Sequence, residues 1–360
     1  MRIAQVAPLG ESVPPPKYGG TERIVSYLTE TLVQMGHEVT LYAAGGSRTD
    51  ARLVTSYPRP LRELPGHPDL ELIYRHVMAD VRAASHEYDV IHFHVGWFEF
   101  PYFAHSETPC LSTMHGRLNI PELRAKLRAH SRFPLVSISD SQRAPVPEVN
   151  WVGTIYHGMP DPGVRPSDRV DDYVAFLGRI SPEKRPDLAI EIAQQAGVPI
   201  KIAAKVDQVD QAYFDETIRP LLTLPGVAFL GELDDIEKRD LLAGARALLF
   251  PIDWPEPFGL AMIEAMACGA PVIAFRRGSV PEVVDEGVTG FIVDDVAGAV
   301  TALRQVECLD RRAIRSTFLR RFSLSRMVRD YVDLYERLVA DEGRDGAYES
   351  MGLVPSHTAG

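Results

Sequence analysis

Cysteine is scarce in this chain of 360 residues. Cys110, Cys268 and Cys308 stand far apart with no metal-ligand spacing, which argues against a disulfide scaffold or a thiolate metal centre and fits reduced thiols. Long apolar runs are missing too, and no stretch approaches the roughly 20 residues that cross a bilayer. Basic residues are outnumbered: 38 Lys and Arg face 49 Asp and Glu, a formal net charge of −11. A general nucleic-acid binder needs the opposite balance to displace counterions, and an electrostatic membrane anchor needs a basic face. The chain opens straight into the strand-like Arg2–Ala7, without the apolar stretch and cleavage site of a signal peptide. These absences predict a cytoplasmic protein with no nucleic-acid partner.

What is present is a regular alternation. Apolar residues make up 45% of the chain, enough for two cores at this length. Ile3–Ala7 reads as a buried strand, followed by a Pro- and Gly-rich loop and then by Ile24, Leu28, Leu32 and Met35 at helical spacing. Val39–Ala43, Val90–Phe93, Cys110–Thr113 and Leu135–Ile138 are further strands. The pattern restarts with Tyr173–Leu177, a helix from Asp187 to Ala196, and strands at Ile200–Ala204, Val227–Leu230, Ala247–Phe250 and Pro271–Ala274. Such alternation predicts parallel sheets covered on both faces. The expected organisation is α/β: two facing Rossmann-like, doubly wound domains at 1–165 and 166–322, a further amphipathic helix at 323–340, and a disordered tail at 341–360. In such sheets ligands sit beyond the carboxyl ends of the strands, so the site is expected in the cleft.

Four stretches carry candidate chemistry. In Pro255-Glu256-Pro257-Phe258-Gly259-Leu260 through Glu264 to Gly269, two glutamates flank a Phe-Gly-Leu turn into a helix. Free N–H groups and the positive dipole end at Gly259 suit a phosphate. Glu256 and Glu264 are then placed to accept from hydroxyls, although spacing alone equally fits a helix with a solvated Glu264. The strand ending Gly178-Arg179 delivers Arg179 and, five residues on, Lys184, two cations that match a diphosphate. Gly19 and Gly20 open the first helix and can face phosphates from the opposite wall, or simply allow the turn. His115, in Thr113-Met114-His115-Gly116, ends a strand and can bond a sugar hydroxyl, though a lone histidine is more often structural. His92 and His94 share a strand face without a carboxylate pair, so no metal site is expected.

Together these stretches resemble glycosyltransferase family 4, a retaining family of the glycosyltransferase B (GT-B) fold, over nearly the whole chain. The resemblance implies Arg179 and Lys184 on the donor diphosphate and Glu256 on the transferred sugar. The Phe258, Gly259 and Leu260 backbone goes to sugar and phosphate, Glu264 to the ribose, His115 near the sugar, and Gly19 and Gly20 to the phosphates. Catalytic roles fall to Glu256 and His115. It also implies a last helix, Met327 to Leu338, crossing back onto the first domain. Where the family often has a Gly-rich loop this chain has Lys205-Val206-Asp207, making Lys205 an additional phosphate contact. The missing Asp-x-Asp motif implies no catalytic divalent metal and no cofactor beyond the nucleotide-sugar substrate.

The expected activity is transfer of a hexose from a nucleotide-diphosphate sugar, with UDP-glucose as the expected donor, to an unidentified acceptor by front-face displacement. The competing readings are a sugar-nucleotide epimerase of similar shape and a non-catalytic two-lobed sugar-binding protein. Arg124, Lys126, Arg128 and Arg132 form a basic helix candidate that reads as a solvated face, with an anionic acceptor or a membrane surface as the competing readings.

Overall fold

The structure, a computed structural model, describes residues 1–17, 19–66, 68–164, 166 and 170–350, with backbone only for 342–350. Two sheets account for the alternation. The first contains β1 (Arg2–Val6), β2 (Glu38–Ala44), β3 (Arg52–Tyr57), β4 (Val90–Phe93), β5 (Cys110–Thr113), β6 (Leu135–Ser137) and β7 (Trp151–Thr154), in the order β3-β2-β1-β4-β5-β6-β7. The second contains β8 (Val174–Ile180), β9 (Ile200–Val206), β10 (Val227–Gly231), β11 (Leu248–Phe250), β12 (Val272–Phe275) and β13 (Gly290–Val293), in the order β10-β9-β8-β11-β12-β13. Each strand pairing in both sheets is parallel. The strand order reverses at β1/β4 and again at β8/β11, and ligand crevices form at such switch points.

The central strands were legible because they are buried on both faces, as β1, β4 and β5 show. Three strands absent from the sequence reading, β3, β7 and β13, all lie at sheet edges. β3 is exposed or half-buried along its length and mixes Arg52, Thr55 and Ser56 with apolar residues, so its pattern is weak. The expected domain boundary at 165 falls among residues 165 and 167–169, which lie outside the described residues.

Helix α1 (Gly20–Gln34) presents Ile24, Leu28 and Leu32 inward, as their spacing predicts. The other helices near the cleft are α2 (Pro186–Ala196), α3 (Asp235–Gly244), α4 (Leu260–Ala267) and α5 (Leu324–Ser350). The chain leaves the second domain through hydrogen bonds between Met159 and both Phe322 (3.1 Å) and Leu324 (2.9 Å). Then α5 packs Met327, Val328, Tyr331, Leu334 and Tyr335 against α1 and the first sheet. α5 continues to Ser350, past the expected end at 340, while 351–360 lie outside the described residues. Among the described residues no helix is long and apolar enough to cross a membrane.

Candidate functional site

A cavity of about 760 Å³ opens where the carboxyl ends of the two sheets face each other. Gly19, Gly20, His115, Arg179, Lys184, Lys205, Glu256, Phe258, Gly259, Leu260 and Glu264 all line it. The cleft thus gathers the residues expected on the donor and the transferred sugar, although they are spread over some 245 positions, and leaves out His92, His94 and the basic segment from Arg124 to Arg132.

The second domain supplies the cationic wall. Arg179 lies near the end of β8, and the turn that follows carries Lys184 into α2. Arg179 stands between three carboxylates: Glu183 and Asp210 at 3.4 Å and Asp207 at 3.6 Å. Lys205, at the end of β9, lies 3.2 Å from Asp207 and 3.9 Å from Glu11 of the first domain. Both cations are half-buried among these acids.

Glu256 is not an isolated acceptor. Its Oε2 accepts from Lys184 Nζ and from the Trp254 indole N–H at 2.8 Å, and Lys184 lies 4.9 Å from the Trp254 ring centre. Two predicted residues therefore meet. The loop is held by close backbone approach at Gly278: a Cβ there would lie 2.3 Å from both the N and O of Glu256, and φ is +53°. Beside it, Ser279 N donates to Glu256 O at 2.9 Å and Ser279 Oγ to Phe258 O at 2.8 Å. Gly259 then caps α4 with φ +85°, where a Cβ would be 2.6 Å from Met262. The N-terminus of α4 faces that of α1, since a Cβ on Gly20 would sit 3.2 Å from Leu260. Two helix N-termini thus converge on one cavity, each suited to anionic groups.

His115 enters from the end of β5 and belongs to a buried relay. Its Nε2 lies 2.9 Å from His94 Nδ1, and His94 Nε2 lies 2.9 Å from Gln5 Oε1. Gln5 Nε2 donates to Tyr335 OH at 3.1 Å. Tyr335 OH lies 2.6 Å from His92 Nδ1, and His92 Nε2 lies 2.7 Å from Thr113 Oγ1. Gln5 Oε1 can only accept, so His94 Nε2 carries a proton. Burial depresses the His94 pKa well below the usual value, so the ring is neutral and its Nδ1 accepts from His115 Nε2–H. Burial also lowers the His115 pKa to about 3. His115 is therefore neutral with a bare Nδ1, and that atom is buried without a partner among the described residues. Such a nitrogen can accept a hydrogen bond and carries no charge. His157 stacks on His115 with ring centres 5.3 Å apart and meets Phe258 edge-on at 5.0 Å. Among the described residues no group of three or more His, Cys, Asp or Glu is disposed to hold a metal ion.

The two domains are tied beside the cavity. Glu282 accepts from Asp140 N and Ser141 N, both at 2.7 Å, and from Tyr156 OH at 3.1 Å. A charged chain runs from Arg23 in α1 to Asp235 (2.6 Å), then Lys238 (2.8 Å), then Glu264 (3.1 Å). Glu264 is thus half-buried and paired with Lys238, where the plainer reading of its spacing places it on a solvated face.

The family described as Glycosyltransferase Family 4 matches residues 18–143, and that described as Glycosyl transferases group 1 matches residues 163–307. The chain belongs to glycosyltransferase family 4. It is 30% identical over 254 residues to a D-inositol 3-phosphate glycosyltransferase of Mycolicibacterium paratuberculosis, covering 58% of this chain and 57% of that protein. The enzyme of that name from Salinispora tropica is 33% identical over 196 residues, 47% of this chain and 39% of that protein. The chain thus spans about half or less of the length of these curated relatives. AviGT4, a glycosyltransferase involved in avilamycin A biosynthesis, superposes with a TM-score of 0.73 at 25% identity, covering 94% of this chain and 98% of that one. Anabaena HepE, solved with UDP and glucose, shares the fold with a TM-score of 0.74 at 21% identity, covering 94% and 100%. The two facing sheets are the GT-B fold of these glycosyltransferases.

Several residues of this family 4 site were not found by motif. Gln5, His94, Trp254 and Lys238 acquire their contacts only through folding. His157 did carry a signal, since His157-Gly158 follows β7 as His115-Gly116 follows β5.

Proposed function

We propose that this chain is a retaining glycosyltransferase that moves a hexose from UDP-glucose to an acceptor hydroxyl without a divalent metal. The observation that carries the reading is the convergence in one interdomain cavity of Arg179, Lys184, Lys205 and the α4 N-terminus with the neutral acceptor His115 and with Glu256. Cleaving the bond from the anomeric carbon to phosphate leaves negative charge on the diphosphate. The cations and helix amides stabilise that charge as it develops. The acceptor oxygen attacks from the face the phosphate leaves, and a phosphate oxygen takes its proton, so configuration is retained. His115 Nδ1 and Glu256 hold sugar hydroxyls in place. Movement of the two domains together would exclude water.

UDP is the first nucleotide to test, as the ligand of a solved structure with this fold. Titrating UDP, GDP and ADP in EDTA is expected to show UDP binding tightest, with turnover of UDP-glucose undiminished. Tightest binding of GDP would overturn the donor, and turnover lost in EDTA but restored by magnesium would overturn the metal-free route. Arg179→Ala and Lys184→Ala are each expected to weaken UDP binding by about 1–3 kcal/mol, the scale of charge-assisted hydrogen bonds. Unchanged affinity in both variants would place the diphosphate elsewhere.

A further inference from the structure

The relay that ends at His115 starts on the returning helix. Tyr335 of α5 reaches the first sheet at two points, its OH lying 3.1 Å from Gln5 Nε2 on β1 and 2.6 Å from His92 Nδ1 on β4. Three hydrogen bonds in series, Tyr335 to Gln5, Gln5 to His94 and His94 to His115, then connect α5 to the cavity wall. Gln5, His92, His94 and Tyr335 are all buried, so each link depends on its protein partner.

Every link passes on a direction. An amide donates from one atom and accepts on the other, and a neutral imidazole has one nitrogen of each kind. The orientation of the Gln5 amide therefore decides which nitrogen of His94 carries the proton, and His94 decides it for His115. With Oε1 toward His94, His115 presents a bare Nδ1. An amide turned by half a rotation would donate to His94 Nε2, and His115 would present Nδ1–H instead.

Tyr335 OH is the acceptor that keeps the amide nitrogen on its own side, leaving its proton for His92 Nδ1. Without that hydroxyl the present orientation leaves a buried amide N–H unpaired, whereas the turned amide leaves only a carbonyl oxygen. Buried N–H groups are the less often left unpaired of the two. Loss of one hydroxyl on α5 thus reverses the proton arrangement at the cavity.

We propose that Tyr335 and Gln5 are positioning residues: acting through His94, they hold His115 in its Nε2–H tautomer, so that the cavity demands a sugar hydroxyl that donates to His115 Nδ1. The sugar half rests on the transferase reading. Tyr331 supplies an internal control. It lies one turn away on α5 and is equally buried, but its OH meets Thr113 at 3.0 Å and takes no part in the three links.

Long-range proton–nitrogen correlation spectra of the full chain, labelled at histidine nitrogen, read the tautomer of His115. Wild type and Tyr331→Phe are expected to show Nε2–H, and Tyr335→Phe to show Nδ1–H. Nδ1–H in wild type, or Nε2–H in Tyr335→Phe, would overturn the proposal, and the wild-type spectrum decides even where Tyr335→Phe does not fold. The second readout is the affinity of UDP-glucose analogues with fluorine, which cannot donate, in place of one sugar hydroxyl. At one ring position wild type is expected to lose about three- to tenfold against UDP-glucose, the scale of one hydrogen bond, and Tyr335→Phe to lose less. UDP itself should bind all three proteins equally. A reversed tautomer with no such difference at any position would overturn the sugar half. A reversed tautomer in a chain that binds neither UDP nor its sugars would keep the relay and remove the transferase reading.

Discussion

Glu256→Gln is expected to lower kcat by about 10²- to 10³-fold, the scale of losing one preorganised electrostatic contact in a closed site. The structure sharpens what should accompany the loss. The carboxylate is held by Lys184 and Trp254, both on Oε2, and its backbone is clamped by Ser279. Glutamine keeps the shape and an acceptor oxygen for these donors, so the fold and melting temperature should be retained. It removes the charge that competes for Lys184. UDP affinity should therefore stay the same or tighten while transfer is lost, a split that simple unfolding cannot produce. Kinetics with UDP-glucose beside UDP calorimetry on one preparation provides the check. A variant that retains most of its transfer rate would remove Glu256 from the reaction, and parallel losses of rate and UDP affinity would make it a phosphate-site residue instead.

The second large effect is expected in acid. His92, His94, His115 and His157 are buried together and all are held neutral by desolvation, with like-charged neighbours adding to the effect on His92, His94 and His157. In the unfolded chain each returns to a pKa near 6.5. Above that pH both states carry neutral rings, and the stability they permit is fully present. As pH falls below it, the unfolded chain takes up protons the native state refuses, and stability falls until the folded values are reached, about 3 for His115. Each histidine contributes about 1.4 kcal/mol per pH unit, so four together remove about 5–6 kcal/mol per unit. Glu99 acts in the opposite direction. Burial pushes it up to about 7, with Ser112 pulling weakly the other way. Its contribution is complete below the unfolded carboxyl value, about 4.3, and is lost as pH rises toward 7. Glu22 and Asp210, also raised by burial, act with Glu99, but these carboxyls do not offset four imidazoles. Against an ordinary stability of about 5–15 kcal/mol, cooperative unfolding is expected at roughly pH 4–5.5. Circular dichroism against pH measures it, and an intact tertiary signal at pH 3.5 would show that the cluster is hydrated or ionises in place.

Much of this was legible in the sequence for simple physical reasons. Parallel strands buried on both faces read as unbroken apolar runs, and α1 and α5 each carry one apolar stripe, so the two-sheet architecture follows from periodicity. The stretch from Pro255 to Gly269 is legible because a tight turn into a helix demands particular local residues, with Gly259 in the left-handed region at φ +85°. The cationic pair survived for the same reason, since Arg179 and Lys184 share one strand and its turn. The edge strands β3, β7 and β13 were not legible, because half-exposed pairing imposes little pattern, whereas the edge strand β10 was read from the apolar run Val227–Leu230. What the tertiary structure alone decided is how these groups are paired. The relay from His115 through His94 and Gln5 to Tyr335 joins β1, the segments after β4 and β5, and a helix some 330 residues from Gln5. Lys238 reaches Glu264, and Lys184 reaches Glu256, only when separate βα units stack side by side. Residue types and local spacing determined which groups could bind a sugar nucleotide. The packing of two sheets and a returning helix decided their protonation and their partners, because desolvation and hydrogen-bond direction depend on neighbours in space rather than along the chain.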